Sequence, residues 1–349
     1  MHPRARLAAA YSCPWTVYGM SWRNCHDEKM LAVTSFTEEY TNHLQVLKLS
    51  DVSGADFKST DDGTPAANDD MDVDEGNKTR FTLQSEAIVE HPYPATKVLW
   101  SPDSNSSNLA TTADYLRIWH TQGDTIQCSA TLSKYRAREN CSPLTSADWN
   151  TADPHILGTS SVDTTICIWD LNNTKAPQKE IVAHDGEVYD MAFSTGTNIF
   201  ASVGGDGSLR VFDLRSLGSC TVLYETVDVR PLIRLAWNKL DTNYIAVVLA
   251  EGPAALILDL RLPSIPIMEL PHETGHMNAI AWSPTSPHYI CTVGEQHEAL
   301  MWDISQSTQE RRPVLGYHGG APINQVQWSS THPEFLAMGV DKTVHVVTV

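Results

Sequence analysis

Short runs of alternating apolar and polar residues, separated by turn residues, fill most of the chain. The clearest stretch runs from His184 to Arg215 and holds three such runs, at 188–193, 199–203 and 209–214. The glycines between the second and third runs would interrupt a helix, and no run keeps a 3.6-residue period. The pattern therefore predicts three antiparallel strands joined by tight turns.

The same unit recurs along the chain, and an aromatic residue closes its first strand each time. These aromatics are Trp22, Trp100, Trp149, Phe193, Trp237, Trp282 and Trp328, and the last six are 49, 44, 44, 45 and 46 residues apart. A second aromatic follows about twenty residues later, usually before Asp. Repeats of about 40–50 residues, with four strands and a terminal Trp-Asp, resemble the WD-repeat β-propeller. We therefore predict an all-β fold, a seven-bladed β-propeller that forms one domain over residues 1–349.

The two chain ends are predicted to close this ring together. The last repeat supplies only three strands, whereas residues 4–12 form an additional apolar segment before the first repeat. A ring of blades has no exposed sheet edge only if these two segments pair. We expect the N-terminal strand to complete the last blade, so that removing about ten residues at either end destabilises the whole ring.

An acidic insertion at 50–80 separates the third and fourth strands of blade one. It contains eight Asp and one Glu after Ser50 and few apolar residues. A segment of this composition cannot offset the entropy cost of ordering, so we expect a disordered surface loop. The alternative is that it attracts a basic partner or a chaperone.

The composition and net charge of the chain indicate which classes of molecule it binds. The formal net charge is −18, which disfavours direct binding of nucleic acid because phosphate contacts need Lys and Arg. The charge suits a protein with basic protein partners. There is no signal peptide or apolar run of membrane-spanning length, and the seven cysteines include no CxxC pair. We therefore expect reduced cysteines, no membrane association, a monomer, and a location in the cytoplasm and nucleus.

Several polar residues could be mistaken for catalytic groups. His184, Ser202 and Asp206 suggest a catalytic triad, but WD-repeat proteins use such a set to hold the blade together, and no G-x-S-x-G motif occurs. We expect the same structural role for corresponding residues of blades two and three, which are His91, Asp114, Trp119, Asp163 and Trp169. No catalytic residue, cofactor or metal site is predicted, so the chain is expected not to be an enzyme.

Longer motifs resemble one subfamily of WD-repeat proteins. They include PWTVYGMSW (14–22), SFTEEYTNHLQVLKL (35–49), HPYPATKVLW (91–100) and IVAHDGEVYDMAFS (181–194). These segments are similar to the plant TRANSPARENT TESTA GLABRA and anthocyanin-eleven group and its animal WD-repeat adaptor counterparts. The resemblance implies a non-catalytic scaffold that assembles regulatory complexes. Plant members hold MYB and basic helix–loop–helix transcription factors together, and animal members dock on protein kinases and are linked to cullin-four ubiquitin ligases.

The resemblance also implies where partners bind. WD-repeat proteins often bind peptides on the upper face, at positions six and four residues before the first-strand aromatic. The candidates of this kind are Thr16, Tyr18, Thr96, Thr145, Glu187, Tyr189, Asn278 and Asn324. An alternative function is that of a substrate receptor of a cullin-four ubiquitin ligase, for which the relevant motif is Trp-Asp-x-Arg. Here the candidates are Arg215 and Arg261, although Phe212 and Leu258 replace the Trp.

Overall fold

The computed structural model describes residues 3–38, 41–52, 81–135, 141–272, 275–305 and 312–349. Within these residues the chain forms seven four-stranded antiparallel sheets, and in six of them the four strands are consecutive in sequence. The first strands of neighbouring sheets contact one another around a closed ring. The prediction of an all-β, seven-bladed propeller is therefore confirmed.

The strands have the following bounds. The N-terminal strand is β1 (Arg6–Ser12), and blade one contains β2 (Thr16–Trp22), β3 (Met30–Phe36), β4 (Asn42–Asp51) and β5 (Phe81–His91). Blade two contains β6 (Lys97–Trp100), β7 (Asn108–Thr112), β8 (Leu116–Gln122) and β9 (Thr125–Leu132). Blade three contains β10 (Leu144–Trp149), β11 (Ile156–Ser161), β12 (Thr165–Asp170) and β13 (Lys179–Val182). Blade four contains β14 (Val188–Phe193), β15 (Ile199–Gly204), β16 (Ser208–Asp213) and β17 (Thr221–Glu225).

The remaining three blades continue the series. Blade five contains β18 (Leu232–Trp237), β19 (Tyr244–Leu249), β20 (Ala254–Asp259) and β21 (Pro266–Pro271). Blade six contains β22 (Met277–Trp282), β23 (Tyr289–Gly294), β24 (Glu298–Asp303) and β25 (Leu315–His318). Blade seven contains β26 (Ile323–Trp328), β27 (Phe335–Val340) and β28 (Thr343–Thr348), and β1 is its fourth strand.

Apolar side chains on both faces of each sheet are buried between neighbouring blades. Seven hydrophobic clusters result, one at each junction between blades. At the junction of blades four and five, for example, Val203 and Leu209 pack with Leu235 and Val247. Because the ring is closed, every sheet buries apolar side chains on both faces. This removal of apolar surface from water is the main contribution to the stability of the fold.

The N-terminal strand closes the ring as predicted. β1 pairs antiparallel with β28, from Arg6 opposite Thr348 to Ser12 opposite Thr343. The chain before β1 also reaches blade six, where the amide of Ala5 donates to the carbonyl of Gly316 at 2.9 Å. Both ends of the chain therefore hold the last blade in place.

Strand β4 extends to Asp51, slightly into the predicted acidic insertion, and Asp51 is the partner of Phe81 across the β4–β5 pair. Residues 53–80 lie outside the described part of the chain, so the expectation of disorder stays a prediction.

Candidate functional site

The upper face of the ring is the face on which the first strand of each blade begins. In six blades the register of this strand shifts at one residue, which is the signature of a β-bulge and re-aims a side chain. The residues within these shifts, together with Thr96 directly before β6, are called here the rim positions. They are Tyr18, Thr96, Thr145, Tyr189, Ile233, Asn278 and Asn324.

Three rim positions use their side-chain donors inside the ring. Thr96 Oγ1 donates to the carbonyl of Leu144 at 2.9 Å, and Asn278 Nδ2 donates to the carbonyl of Ile323 at 2.9 Å. Thr145 Oγ1 donates to Val188 O at 2.5 Å. Each bond joins one blade to the next, so these predicted partner-binding residues have a structural use as well.

Aromatic side chains occupy the rim of blade one. The rings of Tyr18 and Phe36 lie 5.2 Å apart between centroids, and Phe36 is exposed. Thr16 is half-buried and donates to the carboxylate of Asp341 in blade seven at 3.4 Å. Among the predicted residues of this blade, Tyr18 therefore offers aromatic surface to a partner, whereas Thr16 contacts the neighbouring blade.

The rim of blade four carries an exposed apolar loop that the sequence pattern did not reveal. The loop spans residues 226–230 and is called here the valine loop, because Val227 is 95% exposed and Val229 is 62% exposed. Val229 has a φ of 53°, which is unfavourable for a β-branched residue. Thr226 Oγ1 holds this turn by donating to the carbonyl of Arg230 at 3.0 Å.

The valine loop adjoins the predicted residues of blade four. The amide of Thr226 donates to the carbonyl of Gly207 at 2.9 Å, which joins the loop to the β15–β16 turn. On the other side of that turn, the amide of Gly205 donates to the carbonyl of exposed Glu187 at 2.8 Å, and half-buried Tyr189 lies beside it. Glu187 and Tyr189 on one side and the valine loop on the other therefore flank the same β15–β16 turn.

The triad-like set of blade four is buried. His184 Nε2 lies 2.7 Å from Ser202 Oγ, and His184 Nδ1 lies 2.9 Å from the nearer oxygen of Asp206. Ser202 has 0% exposure, so a substrate cannot reach its hydroxyl without local opening of the blade. This burial favours the structural interpretation of the set. Phe212, which replaces the Trp, stacks on Phe200 with centroids 5.0 Å apart.

Electrostatics also favour a structural role for Asp206. Burial would raise its pKa, but hydrogen bonds from His184 and Ser208 hold the pKa of Asp206 well below its ordinary value. Its carboxylate further accepts from Arg210 Nη2 at 2.9 Å. A carboxylate held ionised by this many donors is a stable acceptor.

Blade two contains a comparable network with one difference from the prediction. His91 Nε2 lies 3.0 Å from Thr111 Oγ1, which also accepts from Trp119 Nε1 at 2.8 Å. Asp114, predicted to join this network, instead forms a two-bond ion pair with Arg117 at 2.6 and 3.0 Å. Burial lowers the pKa of His91 to about 4, so the ring is neutral at pH 7.

Blade three uses a lysine where blade four has His184. Lys134 Nζ lies 2.8 Å from Asp163 and 2.8 Å from Glu180. Burial opposes this charge, but these hydrogen bonds raise the pKa of Lys134 above its ordinary range. Trp169 Nε1 donates separately to Thr159 Oγ1 at 2.9 Å.

Blade six has a further network that the sequence pattern missed. His272 Nε2 and Trp302 Nε1 both lie 2.8 Å from Thr292 Oγ1. A His shortly before the first strand, as in blade four, was the available signal. Blades two and six therefore contain the same His–Thr–Trp arrangement.

The two predicted arginines lie at equivalent turns on the lower face, after the third strands of adjacent blades. Arg215 Nη2 binds Asp213 at 2.6 Å, and Arg261 Nη2 binds Asp259 at 2.6 Å. The side chains remain 68% and 58% exposed, respectively. Each aspartate therefore fixes a guanidinium that stays largely exposed, and Arg261 Nη2 also donates to the hydroxyl of Tyr244 at 3.4 Å.

Exposed aliphatic side chains lie near these arginines. Leu262 and Ile265 follow Arg261 in the turn of blade five, and Val222 belongs to the outer strand of blade four. The turn of blade five meets the outer strand of blade four where the amide of Ser264 donates to the carbonyl of Leu223 at 2.7 Å. We call Arg215, Val222, Arg261, Leu262 and Ile265 the lower patch. Its combination of apolar surface and arginine is typical of protein interfaces.

The described part of the chain lacks two other kinds of feature. No group of three or more His, Cys, Asp or Glu residues there could hold a metal ion. No helix long and apolar enough to cross a membrane occurs in the same described residues.

Comparison with known proteins first defines the class. The profile of the WD domain, G-beta repeat, matches residues 127–170 and 175–213. Together with the seven four-stranded blades, this match makes the chain a WD-repeat propeller, a fold that generally serves as a non-catalytic scaffold.

Full-length relatives then define the family. The DDB1- and CUL4-associated factor 7 homolog of Dictyostelium discoideum is 40% identical over 97% of this chain and 98% of its own length. An uncharacterised WD repeat-containing protein of Schizosaccharomyces pombe is 32% identical over 89% of this chain and 73% of its own length. The chain belongs to this family of WD-repeat proteins, and it is an adaptor for protein–protein interaction.

The assignment to the TRANSPARENT TESTA GLABRA and anthocyanin-eleven subfamily is therefore wrong. The full-length similarity is to the DDB1- and CUL4-associated factor 7 homolog instead. The motifs that suggested the subfamily include residues used by the fold itself, such as His91 of HPYP, which contacts Thr111 inside blade two. Such motifs therefore indicate the propeller fold more than membership of a particular subfamily.

Proposed function

We propose that this adaptor docks a regulatory protein, either a protein kinase or a transcription regulator, on the upper face at blades four and five. The chain itself performs no catalysis in this proposal. The proposal includes a location in the cytoplasm and nucleus, in keeping with partners of these two classes.

One observation carries the proposal, namely the exposure of the valine loop beside Glu187 and Tyr189. Two exposed valines are unfavourable in water, and Val229 additionally has an unfavourable φ. Backbone strain of this kind is found preferentially at functional sites. An aromatic residue next to exposed aliphatic side chains supplies the apolar centre that interfaces need, and Glu187 supplies a charge at its border.

The test is affinity purification from the native cells with a Val227→Asp/Val229→Asp variant. Aspartate tolerates the left-handed conformation of residue 229, so the fold should be kept. The matched control is Leu240→Asp, because Leu240 is 50% exposed and lies in the β18–β19 turn, at the lower end of the first strand of blade five. We expect the loop variant to lose a discrete kinase or transcription regulator that the control retains. Retention by both variants would refute this docking site.

The second candidate function is that of a substrate receptor of a cullin-four ubiquitin ligase. Its support is the lower patch, together with the name of the Dictyostelium relative, a DDB1- and CUL4-associated factor 7 homolog. Arginine is enriched at interfaces because its planar guanidinium offers several donors in a fixed geometry. The two functions are compatible, since the valine loop and the lower patch lie on opposite faces.

The test of the second candidate is direct binding to purified DDB1 of the same organism. We expect Arg215→Gln/Arg261→Gln to weaken binding at least tenfold, about 1.4 kcal/mol, through loss of charge-assisted hydrogen bonds. The control is Arg230→Gln/Lys342→Gln, which removes the same charge from exposed positions on the upper face. Absence of binding by the wild-type chain would exclude this function.

A further inference from the structure

The central channel of the propeller has an unusual charge pattern. In blades two to seven, the residue that follows each rim position borders one cavity within the ring. These six residues are Lys97, Ser146, Asp190, Arg234, Ala279 and Gln325. Two of them are cations, although the whole chain has a formal charge of −18.

Neither cation has an anionic partner among the residues that the structure describes. Lys97 is half-buried and forms no ion pair there. Arg234 is half-buried as well, and its Nη1 donates to the carbonyl of Ile233 at 3.0 Å. Lysine and arginine are mostly exposed to water unless they are paired, and here two half-buried cations without an anionic partner border one cavity.

Asp190, the acidic residue of the cavity, already has hydrogen-bond donors within the ring. Asp190 is 2% exposed, and its Oδ1 accepts from Ser146 Oγ at 2.6 Å and from the amide of Met191 at 3.0 Å. Its Oδ2 accepts from the amide of Leu235 at 2.9 Å. Asp190 therefore joins blades three, four and five, and it does not neutralise either cation by direct contact.

Neutral donors complete the lining. The side chains of Gln325 and Gln327 belong to blade seven and border the same cavity as the two cations. An amide group can donate two hydrogen bonds without adding charge. The cavity thus offers cationic donors from blades two and five and neutral groups from blade seven.

We propose that the central channel binds a phosphate group between Lys97 and Arg234. The cations approach from different blades of the ring, which suits a tetrahedral anion whose oxygens point in several directions. A carboxylate, by contrast, presents two oxygens in one plane. Arginine and lysine are the usual phosphate ligands, and a concave site with low-dielectric walls strengthens their field. The group is either free inorganic phosphate or the phosphate of a small phosphomonoester.

The experiment is isothermal titration calorimetry of the whole chain with inorganic phosphate and, separately, with glycerol 3-phosphate, at constant ionic strength. We expect millimolar or tighter binding that falls at least tenfold in Lys97→Gln and in Arg234→Gln. Lys97→Arg should retain binding, and so should Lys342→Gln, which removes a cation from the upper face. Binding of phosphate alone identifies the free ion, whereas binding of both probes identifies a phosphomonoester as a possible ligand.

A separate measurement controls for misfolding. Because the two cations repel each other in an empty channel, Lys97→Gln should unfold in phosphate-free buffer at or above the wild-type temperature. Phosphate should then raise the unfolding temperature of the wild type but not that of the variant. Absence of binding by the wild type, or equal binding by the wild type and both glutamine variants, would overturn the proposal.

Discussion

Replacement of Thr111 by Val tests the hydrogen-bond network of blade two. The Thr111 hydroxyl accepts from Trp119 Nε1 and contacts His91 Nε2, and Thr111 is 1% exposed. His91 Nδ1 lies 2.6 Å from the carbonyl of Tyr93 and must be its protonated nitrogen. His91 Nε2 is therefore the acceptor of the Thr111 hydroxyl proton. Valine has nearly the shape of threonine, so Thr111→Val removes both hydrogen bonds and creates no cavity.

The magnitude follows from the two partners left behind. A buried indole N–H without an acceptor costs about 1–3 kcal/mol, and loss of the bond to His91 adds about 1 kcal/mol. We expect the free energy of unfolding to fall by about 2–4 kcal/mol. At about 2 °C per kcal/mol for a chain of this size, the unfolding temperature falls by about 4–8 °C.

The assay is thermal and urea unfolding of three threonine-to-valine variants. Thr159→Val should cost less than Thr111→Val, because Thr159 accepts only from Trp169. Thr131→Val, an exposed position on β9, should change the unfolding temperature little. If Thr111→Val were no more destabilising than Thr131→Val, the structural role of the network would be refuted.

Three further predictions concern a change of pH, deletion of the N-terminal strand and replacement of the acidic insertion. Burial lowers the pKa of His91 and of His272 in the folded chain to about 4, from the ordinary value of 6.5. Between these two pH values the unfolded chain therefore binds more protons than the folded chain. Stability should therefore fall as the pH drops from about 6.5 to about 4, and a urea midpoint that is the same at pH 7 and pH 5 would contradict this. Deletion of residues 1–12 should expose the edge of β28, lower the unfolding temperature and cause self-association on size-exclusion chromatography; an unchanged, monomeric product would contradict the closure role. Replacement of residues 53–80 by a short Gly-Ser linker should leave the unfolding temperature unchanged, because Asp51 and Phe81 are already paired, and a clear loss of stability would show that the insertion contributes to the fold.

The period of the aromatics was sufficient to predict the blades, because a propeller repeats one unit and each unit carries the same turn chemistry. The missing strand at the C-terminus similarly predicted the pairing of β1 with β28. Side-chain partners were harder to predict. Asp114 lies at the position of Asp206, yet the nearby Arg117 competes for its carboxylate and forms two bonds. Local ion pairing of this kind is decided by a neighbour that the repeat pattern does not include.

The exposed surfaces were the least predictable. Val227 and Val229 are aliphatic residues in a strand-rich sequence, so the pattern alone suggests burial, whereas the turn held by Thr226 presents them to solvent. Ile233 lies at a rim position without a polar group that would mark it. The charge of the channel depends on Lys97 and Arg234 bordering the same cavity from different blades, which follows from closure of the ring and not from any single repeat.

The central claim is that one propeller binds two proteins through separate surfaces on opposite faces. The most direct test is a side-by-side quantitative affinity purification of three proteins: the wild type, Val227→Asp/Val229→Asp and Arg215→Gln/Arg261→Gln. We predict that the valine variant loses a kinase or transcription regulator and keeps DDB1, and that the arginine variant does the reverse. Loss of the same partners from both variants, or no change in either, would contradict the claim.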